Sequence, residues 1–328
     1  MNEEAALRTI LKPANLETIA EAAGILRAGG LVAMPTETVY GLAADATSDR
    51  AVAAIYAAKQ RPEFNPLIAH VASLTAARRE AIFSDDALRL ANAFWPGPLT
   101  LVLPVAPECR VSLLARAGLQ SVALRAPDHP VALSLIEAAG APLAAPSANR
   151  SGHVSPTLAS HVLADLDGHI AMILDAGPCR IGLESTIVAC LDGGPSLLRR
   201  GAITRSALEA VLGRPMIDES SGSDTAPAAP GRLLSHYAPR ARLRLNAAEV
   251  GRDEAALDFG GAFAAAKSLR RLDLSSGGDL EEAAANLFAF LRELDATGAA
   301  TIAVAPIPER GIGAAIADRL GRAAAPRA

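Results

Sequence analysis

Small polar and basic side chains recur in five short stretches of this 328-residue chain, which read PTETVYG, KQRPEFNPL, APSANRSGHVSPT, GLESTIV and LLRRGAIT. Lysine offers a point charge, arginine offers paired donors, and amide and hydroxyl groups offer directed hydrogen bonds. A polyphosphate takes point charge and bidentate donors together, so these residue types favour a site for a phosphate-bearing ligand. Backbone N–H groups of the serine-rich third stretch could complete such an anion site.

The same residues can also be explained as stabilising the fold, without any ligand. Thr36 and Thr38 could cap a following turn, and taken singly their stretch favours that interpretation. Lys59 and Arg61 end a predicted helix, where cations are favourable without any ligand. His70 lies inside the apolar run NPLIAHVA, which by itself is typical of a hydrogen-bonded core histidine. The choice between structure and chemistry therefore depends on whether the stretches meet.

Several well-known signatures are absent from the sequence. It has no GxxxxGK[ST] loop, no GxSxG and no HExxH, and GIGAAI at 311–316 lacks the third glycine of a dinucleotide fingerprint. Cys109, Cys179 and Cys190 have neither CxxC spacing nor neighbouring histidines, which argues against a zinc site and against disulfides. We therefore expect no protein-bound zinc, flavin or NAD.

The composition is that of an ordinary globular protein. Hydrophobic residues make up 51% of the chain, charged residues 20%, and the net charge is -4. A globally basic nucleic-acid binder is thus not indicated, although a local basic cleft is compatible with these values. The N-terminus is acidic where a signal peptide needs lysine, and no apolar run reaches the ~20 residues that span a bilayer. We expect a cytoplasmic protein.

Strand-like and helical segments alternate from Leu16 to Gly213. This alternation predicts a layered α/β architecture with substantial parallel pairing. The polar stretches fall at the ends of predicted strands. In an open α/β sheet, ligands bind at the carboxyl ends of strands and at the helix starts that follow, so we expect the stretches to share one edge of the sheet.

The pattern stops between Pro215 and Pro239, where Ser, Gly, Pro and Ala dominate. Such a composition indicates a linker or an ordered crossing loop. A second, smaller α/β unit is predicted after it. The predicted division is residues 1–215, a linker of residues 216–241, and a C-terminal domain of residues 242–328.

Taken in order, the motifs resemble those of the threonylcarbamoyl-AMP synthase family, the YrdC-like proteins. The motifs are PTETVYGL, KxRPxxNPL, WPGPLT, RAPDHP, APSAN with SPT, ESTIV and LLRRG, and they span residues 35–201. PGRLLSHYAPR and PERGIGAAIADRL resemble the long members with an additional C-terminal domain. The resemblance implies a twisted, open, mixed sheet with a large cleft, plus a smaller Rossmann-like α/β domain.

The resemblance also implies an enzyme, a nucleotidyltransferase. It would form L-threonylcarbamoyladenylate and pyrophosphate from L-threonine, bicarbonate and ATP with Mg²⁺, for the threonylcarbamoyladenosine modification of tRNA. The tRNA would be reached indirectly, through a downstream threonylcarbamoyl transferase complex, and no membrane partner is expected. The oligomeric state and the metal ligands stay open, although Glu37 or Glu184 could help to hold Mg²⁺.

Roles for single residues come from the same resemblance. It implies that L-threonine is held by Thr38, His70, Arg125 and Ser185. It implies that ATP is contacted by Arg61, Asn65, Ser121, Ala145, Ser147, Ser155, Arg199 and Tyr237. Lys59 and Arg61 are the expected catalytic residues, because they bring positive charge to the phosphates. The linker would fold over the cleft and exclude water through His236 and Tyr237, although a passive tether is the alternative.

Two other functions stay open. Related YrdC-like enzymes form carbamoyl-adenylate, but they lie within much larger chains that carry zinc-finger-like cysteine motifs. A module that binds RNA through a basic concavity, without enzymatic activity, is the second alternative.

Overall fold

The structure is a computed structural model that describes residues 8–61, 65–217 and 237–326. Within these ranges the chain forms a ten-stranded mixed sheet and a four-stranded parallel sheet, and helices pack against both. The expected α/β class and the expected second sheet are thus confirmed. None of the described helices combines the length and the apolarity needed to cross a membrane.

The large sheet contains, in chain order, β1 (Ile10–Pro13), β2 (Val32–Met34), β3 (Gly41–Asp45), β4 (Ile68–His70), β5 (Leu99–Pro104), β6 (Ser121–Arg125), β7 (Leu143–Ala144), β8 (Met172–Asp175), β9 (Thr186–Leu191) and β10 (Gly194–Arg199). Its spatial order is β1-β8-β2-β3-β7-β4-β6-β5-β9-β10. The helices around it are α1 (Leu16–Arg27), α2 (Asp49–Lys59), α3 (Leu74–Glu80), α4 (Asp85–Phe94), α5 (Pro130–Ala139), α6 (Ala159–Leu166) and α7 (Arg205–Leu212).

The small sheet contains β11 (Arg242–Arg244), β12 (Ala255–Asp258), β13 (Arg270–Asp273) and β14 (Thr301–Val304), in the order β11-β14-β12-β13. All its pairings are parallel. Two helices accompany it, α8 (Leu280–Ala296) and α9 (Gly313–Ala324).

Parallel and antiparallel pairs alternate across the middle of the large sheet. β4 pairs parallel with β6, and β5 pairs parallel with β9, but β5 and β6 are antiparallel. Strand β3, which the sequence pattern does not predict, is antiparallel to both β2 and β7. Its sequence GLAAD is short and almost wholly buried, so it shows neither the alternation of a half-buried strand nor a helical period.

Two helices begin at residues whose side chains the sequence predicts to stabilise a helix N-terminus. Helix α7 has the predicted threonine cap, because the Thr204 side chain accepts a hydrogen bond from the Ala207 N–H. It ends at Gly213, whose φ of 71° is easy for glycine. Helix α4 carries Asp85 and Asp86 in its first turn, where acids complement the helix dipole.

A buried apolar cluster joins the two sheets. Val154, Leu183 and Tyr237 pack in the same cluster as Leu287 and Phe288 of α8. The predicted linker of residues 216–241 falls largely on residues 218–236, which lie outside the described residues. The division into residues 1–215, 216–241 and 242–328 therefore stays a prediction.

Gly201 provides a test of the packing after β10. A Cβ atom at this position would lie 2.5 Å from Thr186 N and 2.7 Å from Glu184 O. Both are backbone atoms, so no side-chain rotation relieves the overlap, and we expect Gly201→Ala to lower the free energy of unfolding by about 1–3 kcal/mol. Gly24→Ala in α1, where an added Cβ meets nothing within 4 Å, should raise it by about 0.5–1 kcal/mol. Urea unfolding followed by circular dichroism measures both, and equal effects of the two variants would contradict this packing.

Candidate active site

A cleft opens where the ends of several strands converge. Parallel strands β4 and β6 place His70 and Arg125 side by side in register, at their carboxyl ends. The empty space is about 500 Å³ including the open mouth, and it is lined by Thr38, Val39, Arg61, Ile68, His70, Arg125, Ala145, Pro146, Ser147, Glu184, Ser185, Arg199 and Tyr237. The predicted meeting of the five polar stretches thus takes place at one edge of the sheet.

Backbone hydrogen bonds tie the first and third stretches together. Leu42 N donates to Pro146 O at 2.7 Å, and Ala148 N donates to Tyr40 O at 2.8 Å. Lys59 joins the second stretch to the third, since its Nζ donates to Ser147 O at 2.5 Å and also to Asn149 O. Lys59 is therefore buried beneath the serine-rich loop and is not among the lining residues.

The two threonines of PTETVYG have different environments. The Thr36 hydroxyl donates to Val39 O at 2.6 Å and accepts from Val39 N at 3.2 Å, so it serves the turn. The Thr38 hydroxyl lies 2.8 Å from the Thr36 hydroxyl and accepts a hydrogen bond of 2.8 Å from Arg125 Nη1. Thr38 lines the cleft, whereas Thr36 does not.

Arg125 is held on several sides. Its Nη2 lies 2.6 Å from Glu37 Oε1 in a buried ion pair, and its Nε donates to Gly97 O at 3.4 Å. Burial by itself raises the pKa of Glu37, but the Arg125 charge together with hydrogen bonds from Arg125 and from backbone groups outweighs it, so the pKa of Glu37 lies below its ordinary value. Glu37 is consequently ionised at neutral pH.

His70 is neutral at physiological pH. Burial, and secondly the nearby Arg125 charge, lower the pKa of His70 to about 3. Its Nδ1 lies 3.3 Å from Ile68 O. The ring therefore faces the cleft as a polar but uncharged group.

Arg61 and Arg199 bring two further guanidinium groups to the cleft. Arg61 Nη2 donates to Asn65 O at 3.4 Å and to Pro66 O at 3.3 Å, and its buried Nε has no hydrogen-bond partner among the described residues. Burial lowers the pKa of Arg61 to about 10, which still leaves it charged at neutral pH. Arg199 donates from Nη2 to Ser185 Oγ at 3.1 Å.

Glu184 is the carboxylate of the cleft wall. Ser155 Oγ donates to its Oε1 at 2.5 Å, and Arg319 Nε from helix α9 donates to its Oε2 at 2.7 Å. Burial raises the pKa of Glu184, but the charges of Arg319 and Arg199, together with the hydrogen bonds from Ser155 and Arg319, outweigh it, so the pKa is lowered and the carboxylate is ionised. Among the described residues, no group of three or more His, Cys, Asp or Glu side chains could hold a metal ion.

Similarity to known proteins covers both sheets. Residues 24–201 match the family model of the Sua5, YciO and YrdC proteins, described as telomere recombination, and residues 203–325 match the model of the threonylcarbamoyl-AMP synthase C-terminal domain. A threonylcarbamoyl-AMP synthase of Bacillus subtilis is 43% identical over 331 residues, covering 94% of this chain and 93% of the relative. One of Pyrococcus abyssi is 41% identical over 321 residues and covers 92% of each chain.

The chain belongs to the threonylcarbamoyl-AMP synthase family. The crystal structure of P. abyssi Sua5 complexed with L-threonine aligns with a TM-score of 0.86, 38% identity and 97% coverage of each chain. The family resemblance of the motifs is confirmed, and with it the expected mixed-sheet fold and the expectation of an ATP-using, nucleotidyl-transferring enzyme of tRNA modification.

Most residues that the family resemblance implies lie on the cleft wall: Thr38, Arg61, His70, Arg125, Ala145, Ser147, Ser185, Arg199 and Tyr237. Lys59, Asn65, Ser121 and Ser155 do not line it. Ser155 lies behind Glu184, and Asn65 is buried beside Arg61. Ser121 begins β6, at the opposite end of the strand from Arg125, so the described cleft does not reach it.

Sequence reasoning leaves Glu184 without a firm role and misses Arg319 entirely. A signal for Arg319 does exist in the sequence. It shares the buried face of α9 with Ala315, Ile316, Leu320 and Ala323. An arginine on the apolar face of an amphipathic helix requires a buried partner, because an unpaired buried charge is costly.

The depressed pKa of His70 predicts acid sensitivity. The folded-state pKa of about 3 lies below the unfolded value of ~6.5, so as the pH falls between these values the unfolded state binds more protons and stability is lost, by about 1.4 kcal/mol per pH unit. His70→Gln should lose stability less steeply from pH 6 to pH 4 than the wild type.

Urea unfolding at several pH values measures the slope. Val71→Ala is the matched control, because Val71 is equally buried but does not titrate. It should lower stability without changing the slope. A slope for His70→Gln equal to that of the wild type would mean that His70 takes up a proton as readily in the folded state as in the unfolded state, contrary to its lowered pKa.

Proposed function

We propose that this protein forms L-threonylcarbamoyladenylate and pyrophosphate from L-threonine, bicarbonate and ATP. The observation that carries the proposal is the convergence of Arg61, Arg125 and Arg199 with hydroxyl groups on one cleft of a family member. The product would serve the threonylcarbamoyladenosine modification of tRNA. The tRNA would be reached through a downstream threonylcarbamoyl transferase complex, and the protein would act in the cytoplasm.

Arg125 is proposed to hold the carboxylate of L-threonine. Its ion pair with Glu37 and its bond to Thr38 fix its orientation before any ligand arrives, which lowers the cost of binding. Since Thr38 donates to Thr36 and accepts from Arg125, its hydroxyl retains one acceptor site for a donor on the substrate. Neutral His70 and the hydroxyl of Ser185 would complete the threonine site.

Arg61, Arg199 and Ser147, which line the cleft, are proposed to face the phosphates of ATP, and Ala145 and Tyr237 are proposed to contact the nucleotide from the same wall. Asn65, Ser155 and Ser121 do not line the described cleft, so their expected contacts with ATP require a rearrangement and stay a proposal. Arg61 Nε, which is buried without a hydrogen-bond partner among the described residues, is a donor suited to a phosphate oxygen. Lys59 is proposed to act from beneath. Burial, and then the Arg61 charge, lower the pKa of Lys59 well below its ordinary value, and a bound polyphosphate would favour its protonated form.

The reaction asks for positioning and charge neutralisation. The amine of threonine joins the carbon of bicarbonate to give a carbamate, with loss of water. A carbamate oxygen then attacks the α-phosphorus of ATP, and the bond to the bridging oxygen breaks as pyrophosphate leaves. The guanidinium groups would balance the charge that develops on the phosphoryl oxygens.

ATP use is consistent with a divalent metal, and we propose Mg²⁺. The two nearby carboxylates do not fit as ligands in the described arrangement, because Glu37 is paired with Arg125 and Glu184 with Arg319. Phosphate oxygens and water are then the ligands left for Mg²⁺, which commonly keeps several waters. No step of the proposed reaction uses a protein–metal bond.

The linker is proposed to close the cleft. Tyr237, its first described residue on the C-terminal side, already lines the cleft wall. His236 lies outside the described residues. Exclusion of water would protect the labile mixed anhydride of the product.

Pyrophosphate release tests the function directly. Purified protein with Mg·ATP and bicarbonate should release pyrophosphate faster when L-threonine is added, because the carbamate is the attacking nucleophile. The product can be identified by mass spectrometry. Release that depends on carbamoyl phosphate in place of threonine would favour the carbamoyl-adenylate alternative, and no release with either substrate would contradict both.

Thr38 and Thr36 form a matched pair of variants. Thr38→Val removes a cleft hydroxyl that also orients Arg125, so the KM for threonine should rise by about tenfold or more. Thr36→Val removes hydrogen bonds within the turn, so it should lower the free energy of unfolding by about 1–3 kcal/mol and change that KM little. Steady-state kinetics and urea unfolding separate the two effects. A larger KM effect for Thr36→Val than for Thr38→Val would place the substrate elsewhere.

A further inference from the structure

Arg319 crosses from the C-terminal unit into the cleft wall. It lies on α9 and is only 1% exposed. Its Nε donates to Glu184 Oε2 at 2.7 Å, its Nη2 donates to Arg200 O at 2.9 Å, and its Nη1 donates to Asp318 Oδ2 at 2.5 Å. Every nitrogen of the guanidinium is thus engaged, and two of the three bond to residues of the segment around the large sheet, Glu184 and Arg200.

The ion pair between Arg319 and Glu184 reduces the negative charge on the cleft wall. Glu184 lines the cleft, so an ionised carboxylate there would repel a polyphosphate at close range. Without Arg319, the carboxylate would also attract more strongly the guanidinium of Arg199, whose charge already acts on Glu184 and which bonds Ser185. Pairing with Arg319 of helix α9 offsets the negative charge of Glu184 and so weakens both effects.

Arg319 also supports Tyr237. Its guanidinium carbon lies 5.2 Å from the centre of the Tyr237 ring, and the Phe288 ring of α8 stacks on Tyr237 with 5.6 Å between the ring centres. Tyr237 has a φ of 65°, a conformation that costs a non-glycine residue free energy. Two side chains of the C-terminal unit therefore hold this lining residue in place.

We propose that Arg319 is a positioning residue of the ATP site, which acts by neutralising Glu184 and supporting Tyr237. The C-terminal unit would in this way complete the cleft of the first unit. This inference rests on the proposed function, because it assumes that the cleft binds ATP. A simpler alternative is that the ion pair only holds the two units together.

Variants of Arg319 separate these possibilities. Arg319→Met and Arg319→Gln remove the positive charge, and we expect the Kd for Mg·ATP to rise about tenfold or more while the KM for threonine changes less than threefold. Arg319→Lys keeps the charge but loses the planar fork of donors, so its Kd should lie clearly between those of Arg319→Gln and the wild type. Arg322→Met is the matched control on the same helix, since Arg322 bonds Asp318 and is not among the residues that line the described cleft, and it should bind ATP like the wild type.

A double variant tests whether Arg319 acts on ATP binding by neutralising Glu184. In Glu184→Gln/Arg319→Gln both charges are gone, so ATP affinity should recover by several fold relative to Arg319→Gln alone. Calorimetry gives the Kd, and thermal unfolding gives the stability of each variant. If Arg319→Met does not fold, the comparison of Arg319→Gln with Arg319→Lys decides.

Equal ATP affinities of Arg319→Gln and Arg319→Lys, or a double variant as weak as Arg319→Gln, would overturn the inference. So would a loss of thermal stability with an unchanged Kd, which is the result expected of a structural contact. Measurements on the wild type distinguish a wrong inference about Arg319 from a wrong proposed function. A wild type that shows threonine-stimulated pyrophosphate release beside an insensitive Arg319→Gln refutes the inference alone, whereas a wild type that binds no ATP refutes the function.

Discussion

Four buried guanidinium groups need charge or hydrogen-bond partners, and this need governs how the cleft is built. Arg61, Arg125, Arg199 and Arg319 gather around one cleft, and none is more than 9% exposed. A buried cation is tolerated only when partners replace its hydration. Carboxylates match Arg125 and Arg319, whereas Arg61 bonds carbonyl groups. The cleft therefore retains positive charge that an anionic ligand can neutralise, and its lining is arranged to keep that charge in place.

The sheet supplies the rigid frame that such an arrangement needs. Parallel β4 and β6 end side by side, so their last residues share one face of the cleft. Antiparallel β2 and β3 return the chain past the same edge, which places the intervening PTETV turn against the strand ends. Groups held on strand ends lose little freedom when a ligand binds, and this favours catalysis by positioning.

The second unit is integrated with the first by polar as well as apolar contacts. The ion pair of Arg319 with Glu184 lies beside an apolar cluster that includes Leu183 and Phe288. Buried ion pairs add little net stability compared with apolar packing, but they fix geometry because an unpaired charge is costly. Apolar packing between the two units thus contributes most of the stabilising free energy, while the Arg319–Glu184 ion pair fixes their relative geometry.

Features that depend only on residues close together in the chain, such as helix caps and motifs, are predicted correctly from the sequence. The Thr204 cap of α7, the acids that begin α4 and the polar stretches after apolar runs are all visible in the chain, and so is the set of motifs that identifies the family. Strand β3 escapes such reasoning, because short buried residues carry no periodicity and its identity depends on pairing with β2 and β7.

Which side chains pair with one another in the cleft depends on how distant parts of the chain pack. Thr36 and Thr38 are two residues apart with the same side chain, yet one serves the turn and the other meets Arg125. Arg319 and Glu184 are 135 residues apart, and nothing local to either predicts their contact. Two charged side chains attract each other strongly only when they lie close together in the protein interior, where the dielectric constant is low. How close they lie depends on how whole strands and helices pack.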